Sequence, residues 1–177
     1  MRLDRRQALG LMGAGVASSA CATPPPPGYT GTAEFRHGVA SGDPSPHGAV
    51  LWTRITPVEP SRPVSVPLTC LVGRWTDGSQ GAPVIVQQIE AGADRDFTAK
   101  LDLERLASPP LEPGSDYWFQ FRVTGSQTAS SLGRFRTLPA EDSTDGVVLA
   151  VASCSLHPGG WFNAYEAIAG LERVDAV

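Results

Sequence analysis

The sequence predicts a mainly β protein, namely a β-sandwich followed by a short α/β segment. Gly and Pro are frequent, at 19 and 16 of 177 residues, which favours short strands joined by turns over a helical bundle. Runs of β-forming residues alternate with Gly, Pro, Asp and Ser along residues 32–139. From position 146 a continuous apolar run, GVVLAVAS, is typical of a strand buried on both faces in a sheet flanked by helices.

The first strand pair is predicted within FRHGVASGDPSPHGAVLWTR, residues 35–54. Two turn clusters, SGDP and SPHG, predict a wide or two-step turn in place of a two-residue hairpin. Asp43 is interpreted as a turn-former. Trp52 is interpreted as a buried anchor, because one buried indole removes a large apolar area from water. His37 and His47 flank the turn, where a histidine is more often a hydrogen-bonded structural group than a ligand.

Further strands are predicted from alternating patterns of residues. Their segments are VSVPLTCLVGRW, VIVQQIEAG, DFTAKLDLERL, DYWFQFRVTG and LGRFRTLP. Val84, Val86 and Gln88 alternate in the second of these. The third places four apolar residues on one face, namely Phe97, Ala99, Leu101 and Leu103. Roughly seven strands in about one hundred residues predict a two-sheet sandwich.

The segment LEPGSDYWFQF, residues 111–121, indicates the kind of sandwich. Leu-x-Pro-Gly-x-x-Tyr is the pattern of a tyrosine corner, in which the Tyr117 hydroxyl bonds to the backbone a few residues upstream. Such a corner is typical of fibronectin type III-like sandwiches. Residues 32–139 are therefore predicted to form one such domain, and the acidic residues 140–145 to form a linker.

Residues 1–22 have the pattern of a bacterial export signal. Arg5 and Arg6 precede a weakly apolar, Gly-rich stretch, too short for a membrane span and typical of a twin-arginine signal. The segment around Cys21 fits either simple cleavage or a degenerate lipobox that would make Cys21 a lipid-bearing N terminus. The proline-rich residues 23–31 are a stiff spacer. The expected location is periplasmic or secreted, with the twin-arginine export machinery as a partner and a lipid anchor as an alternative.

Charge and cysteine content exclude several classes of protein. The formal net charge is −4 and no basic stripe is present, so nucleic acid is not an expected partner. The three cysteines, Cys21, Cys70 and Cys154, have no CxxC spacing, which excludes a zinc knuckle. Cys70 is expected to be a small buried strand residue. The alternative is a disulfide between Cys70 and Cys154 in an oxidising compartment.

Residues 146–177 have the pattern of a strand, a loop, a helix and the start of a second strand. Apolar residues in WFNAYEAIAGLE recur at helical spacing, and Asn163 is interpreted as the helix cap. These elements cannot close a core, so the unit is expected to be incomplete. Ligands collect at the carboxyl ends of strands in such sheets, which is where Cys154 lies. Its thiolate could be a nucleophile or a soft metal ligand, and the alternative is a partly buried free thiol.

The neighbours of Cys154 have weaker functional signals. His157 lies in the same loop, where it could act as a base or ligand. Trp161 and Phe162 are expected to serve in helix packing, and lining a cleft is the alternative. Gly159 and Gly160 could cradle a phosphate through backbone amides, but a hinge accounts for them equally well.

Two stretches resemble a known family. HGVASGDP followed by VLWTR is similar to the N-terminal domain of the PhoD family of alkaline phosphatases and phosphodiesterases. AVASCSLHPGGWFNAYEAIA resembles the opening of that family's metallophosphatase domain. The resemblance implies a mixed iron and calcium centre in which Cys154 is an iron ligand. In the family the other ligands follow beyond the position of Val177, so no catalytic residue is assigned, and this chain alone is expected to be inactive and to bind no metal.

The expected function is hydrolysis of phosphate mono- or diesters by an exported metallophosphatase of which this chain is a fragment. In such an enzyme two metals polarise the phosphoryl oxygens and lower the pKa of a bound water. The alternative is a stand-alone periplasmic or lipid-tethered β-sandwich that acts as a binding or spacer module without catalysis. Residues 146–177 discriminate between the two, because a module alone would leave an apolar strand uncovered.

Overall fold

The computed structural model describes residues 29–58, 63–153, 159 and 161–177. Strands dominate these residues, which confirms the mainly β fold class. In chain order they are β1 (Ala33–Glu34), β2 (Val39–Ser45), β3 (Gly48–Arg54), β4 (Thr56–Pro57), β5 (Ser65–Thr76), β6 (Ser79–Gly92), β7 (Thr98–Asp102), β8 (Asp116–Val123) and β9 (Gly133–Arg136). The described helices are α1 (Leu103–Leu106), α2 (Asn163–Ala169) and a 3-10 turn at Ala93–Arg95.

Most strands lie in two antiparallel sheets. The first has the order β2-β3-β7 and the second β6-β5-β8-β9, while β1 and β4 form a small ladder. Side chains from both sheets meet in one buried cluster, with Leu51 and Leu101 from the first sheet and Val72, Phe119 and Phe121 from the second. The two sheets therefore pack face to face.

Strand β5 shows most clearly how the sequence builds this core. Its alternate residues Val66, Leu68, Cys70 and Val72 are all fully buried, because successive side chains of a strand point to opposite faces. β5 also pairs with a neighbour on each edge, β6 and β8. It is therefore a central strand, and Cys70 is buried in it as expected.

The connection between β2 and β3 differs from the predicted wide turn. Ser45 pairs with Gly48, so only Pro46 and His47 connect the strands. The SGDP cluster lies inside β2, where the register shifts between Gly42 and Ser45 and Asp43 has a φ of 45°. Aspartate tolerates this left-handed backbone, so the extra residues are absorbed as a bulge, which leaves a tight hairpin.

Trp52 is not the core anchor that the sequence predicted. It is half-buried, whereas its neighbours Leu51 and Thr53 are fully buried. Trp52 lies opposite Ala40 and Lys100 in register, on the outer face of its sheet. Alternation along β3 allows only one of two adjacent residues to face the core, and the smaller Leu51 occupies that position.

Two further predictions change in detail. In β6, Val84 and Val86 are exposed, while Ile85 and Ile89 pack against the core. The strand predicted over DFTAKLDLERL ends at Asp102, and LERL forms α1 instead. These four residues favour helix. Helix α1 fits closely against β3, since a Cβ at Gly48 would lie 2.5 Å from the Glu104 backbone nitrogen.

The predicted strand at 146–153 is absent from the described part of this segment. What remains is a parallel bridge between Leu149 and Ala176, with Ala150 N–H donating to Ala176 O at 3.0 Å. Leu149 and Val151 are 65% and 90% exposed. The expectation of burial on both faces is therefore wrong for this chain, because among the described residues only 174–177 pair with it and no layer covers its faces.

Helix α2 forms where it was predicted, but its N terminus differs. Asn163 is the first helical residue, Phe162 occupies the N-cap position, and no side-chain cap bond is made. The assignment of Asn163 as the cap is therefore wrong. Trp161 is 92% exposed and does not pack as expected, while the ring of Phe162 lies 5.7 Å from that of Tyr165. No helix among the described residues has the length and apolar character needed to cross a membrane.

Candidate functional site

The residues with the strongest predicted chemistry lie outside the described part of the chain. Cys154 and His157 fall in the undescribed range 154–158, and Cys21 falls in the undescribed range 1–28. Two assignments therefore remain predictions, namely Cys154 as a metal ligand and Cys21 as a lipidation site. Gly159 lies in a turn, and Gly160 is not described.

The described residues themselves do not offer a metal centre. Among residues 29–58, 63–153, 159 and 161–177, no three His, Cys, Asp or Glu side chains are grouped so that they could hold a metal ion. The iron and calcium centre therefore stays a prediction that depends on residues outside the described part of the chain.

Cys70 is a free thiol, so the alternative disulfide with Cys154 is not made. Burial raises the pKa of Cys70 to about 12, because an apolar environment disfavours the thiolate. A thiol with such a pKa is a poor nucleophile and a poor metal ligand near neutral pH. Cys70 is therefore part of the core and not of a reactive site.

The two histidines near the first hairpin make contacts within the domain. His47 Nδ1 lies 3.0 Å from the carbonyl oxygen of Leu111, and its backbone N–H donates to Ser45 Oγ at 3.2 Å. His37 Nε2 contacts Arg54 Nη1. Arg54 in turn holds both carboxylate oxygens of Asp96, at 3.0 and 2.8 Å.

Tyr117 lies at the junction of β8 with the preceding loop. Its hydroxyl oxygen accepts hydrogen bonds from Glu112 N–H at 2.9 Å and from Arg74 Nη1 at 3.1 Å. The ring stacks on Phe135 with centroids 5.4 Å apart, and the Arg74 guanidinium lies 5.1 Å from the Tyr117 ring centroid. The phenol thus bonds to backbone five residues upstream, within the buried core.

The exit from the sandwich is attached to the same corner. The fully buried Thr137 donates through Oγ1 to Glu112 O at 2.7 Å and accepts from Ser115 N–H at 2.9 Å. Leu138 N–H donates to Ser45 O at 3.0 Å. The chain therefore enters residues 140–145 from a backbone that is held on two sides.

The C-terminal segment faces the sandwich across a cleft of about 550 Å³. The cleft is lined by residues of both parts, among them Trp75, Asp116, Arg134, Arg136, Leu171 and Arg173. Beside it lies a second cavity of about 270 Å³, which also has Arg136 and Val174 in its lining. Open space therefore adjoins Arg136 at the border between the two parts.

Asp175 is the buried charge at this junction, with a side chain that is fully inaccessible to solvent. Its Oδ2 accepts a hydrogen bond from Val148 N–H at 2.7 Å, and Arg173 and Arg136 lie within ion-pair distance. Burial opposes ionisation of Asp175, but the bonds from Arg173 and Val148 and the two arginine charges outweigh it and lower the pKa of Asp175 below its usual value.

Sequence reasoning assigned no role to Asp175. A usable signal was present, since an aspartate within the apolar run VDAV is costly to bury without a partner. Arg173 two residues earlier is visible in the sequence. Arg136 is not recognisable as the second partner, because it lies in β9, far from Asp175 in the sequence.

Known proteins share this architecture. The family described as PhoD-like phosphatase, N-terminal domain, matches residues 20–139. The chain belongs to the PhoD family. The resemblance stated from the sequence is therefore confirmed.

Two PhoD relatives define how much of the family this chain represents. Alkaline phosphatase D of Bacillus subtilis (strain 168) is 31% identical over 144 residues, which are 81% of this chain and 24% of that protein. A solved structure described as the structure of PhoD matches with a TM-score of 0.66 and 27% identity, over 84% of this chain and 27% of that chain. The chain thus spans about a quarter of the length of these PhoD relatives.

Proposed function

We propose that this chain forms the accessory domain and the opening of the catalytic domain of an exported phosphate-ester hydrolase. Membership of the PhoD family supports the reaction class. The observation that carries the proposal is the parallel bridge between Leu149 and Ala176, on either side of α2. Two parallel segments joined through a helix are the start of a sheet of the βαβ kind, and the exposed Leu149 and Val151 provide apolar surface for further layers.

The accessory domain is proposed to be a fibronectin type III-like sandwich over residues 32–139. The sheet orders β2-β3-β7 and β6-β5-β8-β9 and the bond from Glu112 N–H to the Tyr117 hydroxyl support this. Residues 140–145 would then be the linker. Residues 146–177 would be the first strand and helix of a metallophosphatase domain.

The proposed chemistry is hydrolysis of phosphate mono- or diesters, with Cys154 as one ligand of an iron and calcium centre. Cys154 comes four residues after Ala150, whose N–H bonds to Ala176, and therefore follows the first parallel segment. In α/β sheets this is the end at which ligands bind. The remaining ligands would come from residues other than those described.

The N-terminal residues are proposed to direct export. Arg5 and Arg6 before a weakly apolar stretch support a twin-arginine signal, and a periplasmic or secreted location follows from it. Cleavage of the signal or lipidation at Cys21 would give a free or a membrane-tethered protein, respectively. The export machinery and a phosphate-ester substrate are the partners that this proposal implies.

A chimera tests the proposed function. Residues 29–177 would replace the aligned region of Bacillus subtilis alkaline phosphatase D, and the purified protein would be assayed with p-nitrophenyl phosphate and bis(p-nitrophenyl) phosphate. We expect hydrolysis by the chimera and none by the 177-residue chain alone. Cys154→Ala in the chimera is expected to abolish activity and lower the bound iron, whereas the matched control Cys70→Ala keeps both.

Three outcomes would contradict the proposal. A chimera that melts cooperatively but hydrolyses neither ester would favour the binding or spacer module. Hydrolysis that survives Cys154→Ala with unchanged iron would remove Cys154 from the metal site. Turnover by the isolated chain would show that the opening of the catalytic domain is sufficient by itself.

A further inference from the structure

We propose that Arg136, in the last strand of the sandwich, is a positioning residue for the phosphatase site: it holds Asp175 and thereby fixes the two parallel segments of residues 146–177. The effect of Arg136 on catalysis rests on the function proposed above. The effect of Arg136 on the structure of residues 146–177 is independent of that function.

Asp175 joins the two parallel segments to each other. Oδ2 accepts the Val148 N–H at 2.7 Å and lies 2.9 Å from Arg173 Nη2, while Oδ1 accepts from Arg173 Nε at 3.2 Å. Arg173 Nη2 also donates to Gly146 O at 2.7 Å. One carboxylate thus holds the start of the first segment against the second.

Arg136 connects this group to the sandwich. Its Nε lies 3.0 Å from Asp175 Oδ1, in an ion pair whose N–H is not aligned for a hydrogen bond. Its Nη1 donates to Asp116 Oδ2 at 2.6 Å. Asp116 and Arg136 are also register partners across β8 and β9, so the sandwich itself sets the direction of the guanidinium.

Open space adjoins Arg136 at this junction. Cavities of about 550 and 270 Å³ both have Arg136 and Val174 in their lining. Where apolar packing is this open, a charge pair with a fully buried carboxylate has a large share in the docking, since removing one partner leaves a charge poorly compensated. Arg173 cannot replace Arg136, because it belongs to the same segment as Asp175.

One of the two segments held by Arg136 passes through Ala150 and directly precedes the proposed ligand Cys154 in the sequence. The other segment pairs with it through Ala176. Misplacing a reacting group by about 1 Å can lower a rate by about 100-fold. A sandwich residue that fixes both segments would therefore affect turnover without touching substrate.

Hydrogen exchange of the 177-residue chain tests the structural step. We expect Arg136→Met and Asp175→Asn to speed exchange in peptides covering 146–153 and 172–177 by about tenfold, with β5 and β8 peptides unchanged. The double variant should exchange no faster than Asp175→Asn alone, because that substitution already removes the contact that Arg136→Met loses. Arg134→Met is the matched control, since Arg134 lines the same cleft but stacks on Trp75.

The chimera described above tests the catalytic step. Arg136→Met is expected to lower kcat by about tenfold with KM nearly unchanged, and Arg134→Met to alter neither. Equal exchange in the Arg136→Met and Arg134→Met chains would overturn the proposal. Faster exchange with the kcat of the control would overturn the positioning role while phosphatase activity stands. A chimera that is inactive with either Arg or Met at position 136 would contradict the proposed function. Hydrogen exchange of the 177-residue chain would then still decide whether Arg136 docks the C-terminal segment.

Discussion

The ring of Phe119 lies directly against the backbone of Gly133. A Cβ at Gly133 would come within 2.3 Å of the Cε1 and Cζ atoms of Phe119, closer than any side chain allows. Phe119 and Gly133 are register partners across β8 and β9. The aromatic ring thus fills the space that a side chain on β9 would otherwise occupy, which explains a glycine in a strand.

Gly133→Ala is expected to destabilise the sandwich by about 2 kcal/mol, because an added methyl must displace a buried ring. The measurement is the free energy of unfolding from urea titration. Gly42→Ala is the matched control, since nothing lies within 4 Å of a Cβ there. Equal effects of the two substitutions would contradict the packing argument.

Tyr117→Phe is expected to lower the free energy of unfolding by about 1 kcal/mol. The substitution leaves the Glu112 N–H without its acceptor at 2.9 Å while keeping the ring that stacks on Phe135. Tyr165→Phe, at an exposed position of α2, serves as the control and should melt like the native chain. An unchanged melt of Tyr117→Phe would argue against the corner as a stabilising element.

The Cys70 thiol is expected to be inert in the folded protein. With a pKa raised to about 12 by burial, the thiolate fraction at pH 8 is on the order of 10⁻⁴. In a Cys21→Ser/Cys154→Ser variant, Ellman's reagent should not react with the native chain and should titrate one thiol after unfolding in guanidinium. Rapid reaction of the native chain would show that the core opens at β5.

Ionisation of Asp175 should be visible at the Val148 amide, whose N–H it accepts. The pKa of Asp175 is lowered, so its contribution to docking is present above the ordinary pKa of 3.8 and is lost as the pH falls through the lower folded-state value. We expect the Val148 amide proton shift to titrate with a midpoint below 3.8. Arg136→Met should raise that midpoint, because it removes one of the lowering charges.

The control for this titration is Asp175→Asn, in which the Val148 shift should show no acid transition of this kind. A midpoint above 3.8 in the native chain would mean that desolvation prevails over the arginine contacts. An unchanged midpoint in Arg136→Met would mean that Arg136 contributes nothing to the field at Asp175.

Arg5→Lys/Arg6→Lys is expected to abolish export of a folded fluorescent reporter fused after residue 31. Twin-arginine signals are recognised through the arginine pair, and lysine keeps the charge without the guanidinium geometry. Arg2→Lys is the matched control and should leave export intact. Export that continues without the pair, measured in the periplasmic fraction, would remove the twin-arginine assignment.

The sequence by itself determined the local features of this protein. Alternation along β5, the turn residues before Tyr117 and the helical spacing in α2 are all properties of neighbouring residues, so each could be read along the chain. The HGVASGDP and VLWTR segments were sufficient to identify the family. Alternating and helical patterns of apolar residues indicate which local backbone conformation has the lowest free energy.

Only the tertiary structure decided which side chains are buried and which distant residues they contact. The sequence could not tell whether Leu51 or Trp52 faces the core, because both are apolar and adjacent, and the opposing sheet selects between them. The apolar run at 146–153 predicted burial that the described residues around it do not provide. Asp175 pairs with Arg136 because the C-terminal segment lies beside the end of β9. The two residues are far apart in the sequence, so their contact depends on the path of the chain between them.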